Sequence, residues 1–138
     1  MAFRVEHLNP AGMPSNPAFS QAVVVRGAGT TIYVGGQNGV AADGSVVGEG
    51  DLAAQTEQVF RNLEMVLAAA GATLHDIVQW TIYTLQGLDP RPAIEVFQWA
   101  WGTSAPPPAI SVVAVASFIR PQILVEIAAV AVVADEAG

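Results

Sequence analysis

The chain has 138 residues, of which 52% are hydrophobic and 12% charged, and its formal net charge is −7. A soluble domain ordinarily carries about 25% charged residues, so a lone copy of this one would be short of polar surface. Cysteine and lysine are both absent, which excludes disulfides, thiolate metal sites, a cysteine nucleophile, a Schiff-base lysine and a phosphate-loop lysine.

The length suits one domain with one core, expected to span 1–138. The five basic residues, Arg4, Arg26, Arg61, Arg91 and Arg120, are scattered, so nucleic acid has no electrostatic footing as a partner. No stretch reaches the roughly 18 uninterrupted apolar residues of a spanning helix, so no membrane partner is expected. The start lacks a basic segment followed by an apolar one; no export signal is read, and the expected location is the cytoplasm.

Phe3 to Leu8 reads as a short first strand, and the proline-rich stretch from Asn9 to Pro17 as a loop. Ala22 to Arg26 and Thr30 to Val34 are β-branched runs, and Gly27-Ala28-Gly29 between them predicts a hairpin. A polar, glycine-rich stretch follows from Gly35-Gly36 to Gly50, with a turn at Ala42-Asp43-Gly44-Ser45.

Asp51 to Ala70 is the clearest helix. Leu52, Val59, Phe60, Leu63, Val66, Leu67 and Ala70 recur at three- and four-residue spacing, while Gln55, Glu57, Gln58, Asn62 and Glu64 fall largely off that stripe. Asp51 suits the N-cap and Gly71 the residue after the C-cap. Thr73-Leu74-His75-Asp76 resembles a capping box opening one short turn. Ile77 to Thr84 then reads as a strand with Val78, Trp80 and Ile82 on one face.

Asp89-Pro90 starts a second helix, with Asp89 as cap and Pro90 in the first helical position, and it stops at Gly102. Pro106-Pro107-Pro108 is extended. Ala109 to Phe118 and Ile123 to Ala134 read as strands of an antiparallel hairpin linked through Arg120-Pro121. The order predicts an α+β fold: a mixed, largely antiparallel sheet with two helices on one face. The last strand is apolar on both sides, Val125, Ile127, Ala129 and Ala131 on one, Leu124, Ala128, Val130 and Val132 on the other. Two helices cover one face; self-association is the simplest cover for the second.

Several segments, in order and spacing, resemble the RidA (YjgF) family over residues 17 to 133. They are Phe19-Ser20-Gln21-Ala22-Val23, Val34-Gly35-Gly36-Gln37, the helix segment from Gln55 to Leu63 ending in Ala69-Ala70-Gly71-Ala72, Asp76-Ile77-Val78, and Val125-Glu126-Ile127 with Ala129-Val130-Ala131-Val132. The resemblance implies a RidA/chorismate-mutase-like homotrimer with small-molecule clefts between subunits. It implies hydrolysis of reactive enamines and imines to 2-oxo acids and ammonia, without a metal or organic cofactor. The family also carries an older label as ribonuclease and translation inhibitor.

By the same resemblance Glu126 is the cleft glutamate that holds the attacking water. Read from the residues alone, the favoured reading is a strand glutamate whose head reaches solvent. Gly36 matches a glycine whose N–H faces the ligand, or is a plain strand-end turn. Phe19 stands where the family usually has tyrosine, as cleft wall or as core. The family pattern Pro-Ala-Arg-Ser is here Pro108-Ala109-Ile110-Ser111. Its arginine grips the substrate carboxylate in a two-pronged contact, which isoleucine cannot make. The expectation is therefore a cofactor-free imine or enamine deaminase with a less anionic substrate, its site drawn from Phe19, Gly36, Ala109, Ile110 and Glu126. A non-catalytic, ligand-binding trimer is the alternative, and the ribonuclease reading comes third. His7 and His75 lie far apart, and Trp80, Trp99 and Trp101 read as core and interface anchors rather than a stacking platform.

Overall fold

A computed structural model describes residues 1–135. The elements are β1 (Arg4–Leu8), β2 (Ala22–Arg26), β3 (Gly29–Asn38), α1 (Leu52–Ala69), a short 3₁₀ turn over Leu74–Asp76, β4 (Ile77–Leu85), α2 (Arg91–Trp101), β5 (Ala109–Val115) and β6 (Val125–Ala134). β1 and β2 form an antiparallel ribbon, and the other four strands form one sheet in the order β3-β6-β4-β5. β6 is antiparallel to both neighbours, and β5 is parallel to β4.

Two expected hairpins are corrected by this topology. β2 pairs with β1 rather than with β3, whose partner is β6. The last two strands do not pair at all. A strand apolar on both sides belongs at the centre of a sheet, and β6 takes that place. β5 runs parallel to β4 because α2 carries the chain back over the sheet between them, the crossover that a parallel pair requires.

Both helix starts follow from local chemistry. The Asp51 carboxylate accepts from the Ala54 N–H at 3.0 Å, as an N-cap should. α1 closes at Ala70, and Gly71 follows with φ +78°, a conformation costly for any side chain. The 3₁₀ turn is set by the Asp76 carboxylate, which accepts from the Thr73 N–H at 2.8 Å. The second start falls one residue later than expected. Pro90 is the cap and Pro92 sits in the first turn, while the Asp89 carboxylate accepts from the Arg91 N–H and pairs with its guanidinium at 2.8 Å.

The core lies between the helices and one sheet face. Val59, Leu63 and Leu67 of α1 meet Val125, Ile127, Ala129 and Ala131 of β6, all at most 4% exposed. Trp80 packs edge-on against Phe60, Phe97 and Trp101. Its register differs from the expected strand face: a bulge between Ile77 and Gln79 turns Ile77, not Val78, toward the helices with Trp80. The Trp80 indole N–H has no hydrogen-bond partner among the described residues.

Gln55, a polar residue expected to lie largely off the apolar stripe, is completely buried. Its amide donates to Gly48 O at 3.2 Å and Gln122 O at 2.8 Å, and its carbonyl accepts from the Leu124 N–H at 2.8 Å. Every polar atom of the side chain is thereby used, which is what makes its burial tolerable. One side chain thus clasps α1, the glycine-rich loop and the entry to β6. Among the described residues no helix is long and apolar enough to cross a membrane.

Candidate active site

In an antiparallel ladder, residues directly opposite share a face. Glu126 stands opposite Asn38 of β3 and Tyr83 of β4, between Val125 and Ile127, which point into the core. Its carboxylate therefore rises from the sheet face that the helices leave open. The same face carries Tyr33, Val130, Ala128, Thr81 and Gln79 by register.

Gly36 and Glu126 are brought together. β3 changes register between Val34 and Gln37, and the bulge lays the Gly36 backbone against the carboxyl. A Cβ on Gly36 would sit 2.5 Å from Glu126 Oε2, so only glycine leaves that carboxylate where it is. On the other side the Asn38 amide faces Glu126 Oε1 at 3.5 Å. Asn38 is held by α1: the Asn62 amide donates to Asn38 O at 3.0 Å and Val40 O at 2.9 Å.

Sequence reasoning did not single out Asn38, Asn62 or Gln55. Gln55 and Asn62 stand four residues before and three after Val59, a spacing that puts them at the edge of the buried stripe. That spacing was the available signal.

Phe19 and Ala109 form a second cluster. The Ser20 N–H donates to Pro108 O at 3.1 Å, which ties the segment carrying Phe19 to the start of β5. His7 joins there, its Nδ1 3.0 Å from the Ser20 hydroxyl, which itself donates to Pro107 O. Ala109 aligns with Gln79, four residues along β4 from the Tyr83 that faces Glu126. At about 3.3 Å per strand residue, the two clusters stand roughly 13 Å apart along one sheet. Ile110 aligns with Trp80 and packs against the core from the helix side. A single copy of the chain therefore does not bring Phe19, Ala109 or Ile110 to Glu126.

Among the described residues, none of the five arginines forms a hydrogen bond or ion pair with that carboxylate. Arg4 and Arg26 both contact Glu6, which they hold below the usual carboxylate range, the Arg4 hydrogen bond contributing most. Arg91 does the same to Asp89. Arg61 donates to the Gln58 side chain and Arg120 to Gly44 O. Among the described residues no group of three or more His, Asp or Glu side chains is placed to hold a metal ion.

Two helices on one face of a mixed, mostly antiparallel sheet, with a strand glutamate against a bulged glycine, define a Rid-type domain. The chain belongs to the RidA (YjgF) family. The family model described as Endoribonuclease L-PSP matches residues 11–133. A RutC family protein of Pyrococcus abyssi is 34% identical over 106 residues, covering 77% of this chain and 80% of that one. A 2-iminobutanoate/2-iminopropanoate deaminase of Dermatophagoides farinae is 34% identical over 111 residues, 77% of this chain and 78% of its own. The crystal structure of the Rid-family protein YyfB from Yersinia pestis, described as of unknown function, superimposes with TM-score 0.82 at 36% identity, covering 94% of this chain and 98% of that one.

Proposed function

We propose that the protein hydrolyses small, reactive imines or enamines without a cofactor, and that its substrate is neutral rather than a carboxylate. The observation that carries this is the Glu126 carboxyl resting on Gly36 on the open sheet face. The relative named as an iminobutanoate/iminopropanoate deaminase supports the reaction class. In this reading Glu126 takes a proton from water as the water oxygen bonds to the imine carbon. That proton passes to nitrogen to give a carbinolamine; Glu126 then relays the hydroxyl proton to nitrogen as the C–N bond breaks, and a carbonyl and ammonia leave. Proton transfer by a positioned carboxylate is worth roughly 10²–10⁴ in rate. Ile110, standing where the family arginine would grip a carboxylate, favours a ligand that brings no negative charge.

The reading includes a homotrimer in which the open faces cover one another. Phe19 and Ala109 of one subunit then approach Gly36 and Glu126 of the next, since one protomer keeps the clusters apart. Ile110 enters as the position that supplies no charge.

Ammonia release from freshly generated imines tests the proposal. Glu126→Gln should lower turnover by about a hundredfold or more with the assembly intact. Turnover unchanged in that variant would remove Glu126 from the chemistry. Saturable ligand binding with no turnover in the wild type would instead favour a binding trimer. Faster turnover of 2-imino acids than of neutral imines would sink the substrate assignment.

A further inference from the structure

The helix layer carries a groove of about 540 Å³ lined by α1 and α2 alone, whereas Glu126 stands on the sheet face the helices do not cover. Side-chain spacing builds it. Glu57, Arg61 and Glu64 follow one another at four and three residues along α1, forming one wall. Glu95 and Trp99, four apart on α2, form the other, and Phe60 and Val96 lie in the lining between them.

Trp99 stands out. Trp80 and Trp101 are 1% and 8% exposed and hold the core together, yet Trp99 is 84% exposed. An indole left in water on a groove wall offers a π-face to a ligand, and tryptophan is the aromatic that attracts cations best. The charge around it has the matching sign. Three carboxylates face one guanidinium, none of the three forms an ion pair among the described residues, and the Arg61 Nε–H is turned to the Gln58 side chain at 3.1 Å. The volume falls within the roughly 300–1,000 Å³ of small-molecule sites.

We propose that this groove binds a small organic cation: an ammonium head over the Trp99 indole beside the glutamates, and an aromatic or branched aliphatic body on the half-buried Val96 and Ala100. The groove shares no residue with the Glu126 site, so the inference does not depend on the proposed function.

Benzyltrimethylammonium is the probe, with phenylacetate as an anion of similar size, each titrated into the intact protein by calorimetry and ligand-observed NMR. Saturable binding of the cation and none of the anion is expected. Trp99→Ala, and separately the pair Glu64→Gln and Glu95→Gln, should weaken the cation about tenfold. Glu126→Gln should leave it unchanged. Circular dichroism checks the fold, and Trp99→Phe replaces Trp99→Ala if the latter does not fold. No saturable cation binding, equal binding of phenylacetate, or undiminished binding in the folded Trp99 variant overturns the proposal. Capture of an arginine-rich peptide where the small cation fails overturns it too, since the occupant would then be a polypeptide.

Discussion

At the scale of single residues, the sharpest test lies in two adjacent glycines. A methyl group on Gly36 meets the end of a flexible side chain, Glu126 Oε2, at 2.5 Å, whereas one on Gly35 meets nothing within 4 Å. Neither glycine has a positive φ. Gly36→Ala should therefore displace the carboxylate without unfolding the protein. Displacing a reacting group by about 1 Å costs on the order of a hundredfold in rate, while the unfolding free energy should move by less than about 1 kcal/mol. Gly35→Ala should change neither. Imine turnover and urea titration of the two variants check this, and equal activity in both would show that Gly36 does not set the carboxylate. Glu126 was legible in the sequence because a charge in an apolar strand is conspicuous. Its neighbour Asn38 was not, because the polar stretch from Gly35 to Gly50 has no periodicity from which a facing pair can be read.

Among the elements, α1 does more than cover the sheet. Replacing Gln55 by leucine keeps the volume but strands Gln122 O and the Leu124 N–H, while Gly48 O keeps its bond from the Asp51 N–H. Each buried polar group left unpaired costs about 1–3 kcal/mol, so Gln55→Leu should lower the urea-unfolding free energy by at least about 2 kcal/mol. A loss below about 0.5 kcal/mol would mean that water replaces the clasp. The helices, the cap of α1 and the strand runs could be read from local spacing, because capping and amphipathicity are short-range; the start of α2 could be read only to within one residue. Strand pairing could not. β2, β3, β5 and β6 are all rich in β-branched or small apolar residues, and nothing local says which edge meets which. The deciding facts are long-range: β6 is apolar on both sides, and α2 carries the chain from β4 to β5.

For the whole molecule, the open face is the issue. Tyr33 there is 82% exposed, and Val113 of β5, aligned with Tyr83, is 41% exposed. If copies cover this face, a charge at its middle must break them apart. Ala128, opposite Thr81, lies there. Ala128→Glu should shift sedimentation velocity toward a monomer, because a carboxylate sealed in an apolar interface without a partner costs several kcal/mol. An oligomer unchanged by that substitution would place the contact elsewhere.

The order of the strands has a consequence for how the molecule forms. β3 and β4 flank β6 and have no ladder with each other, so they remain unjoined until the segment from Val125 to Ala134 leaves the ribosome. Such distant pairings close slowly, because loop entropy is spent before the contacts repay it. A nascent chain halted before Val125 would hold two long, unsatisfied edges in the cell, with the α1 core still unsealed. Stalled at that length, it should be a ready substrate for chaperones; released ten residues later, it can complete its sheet.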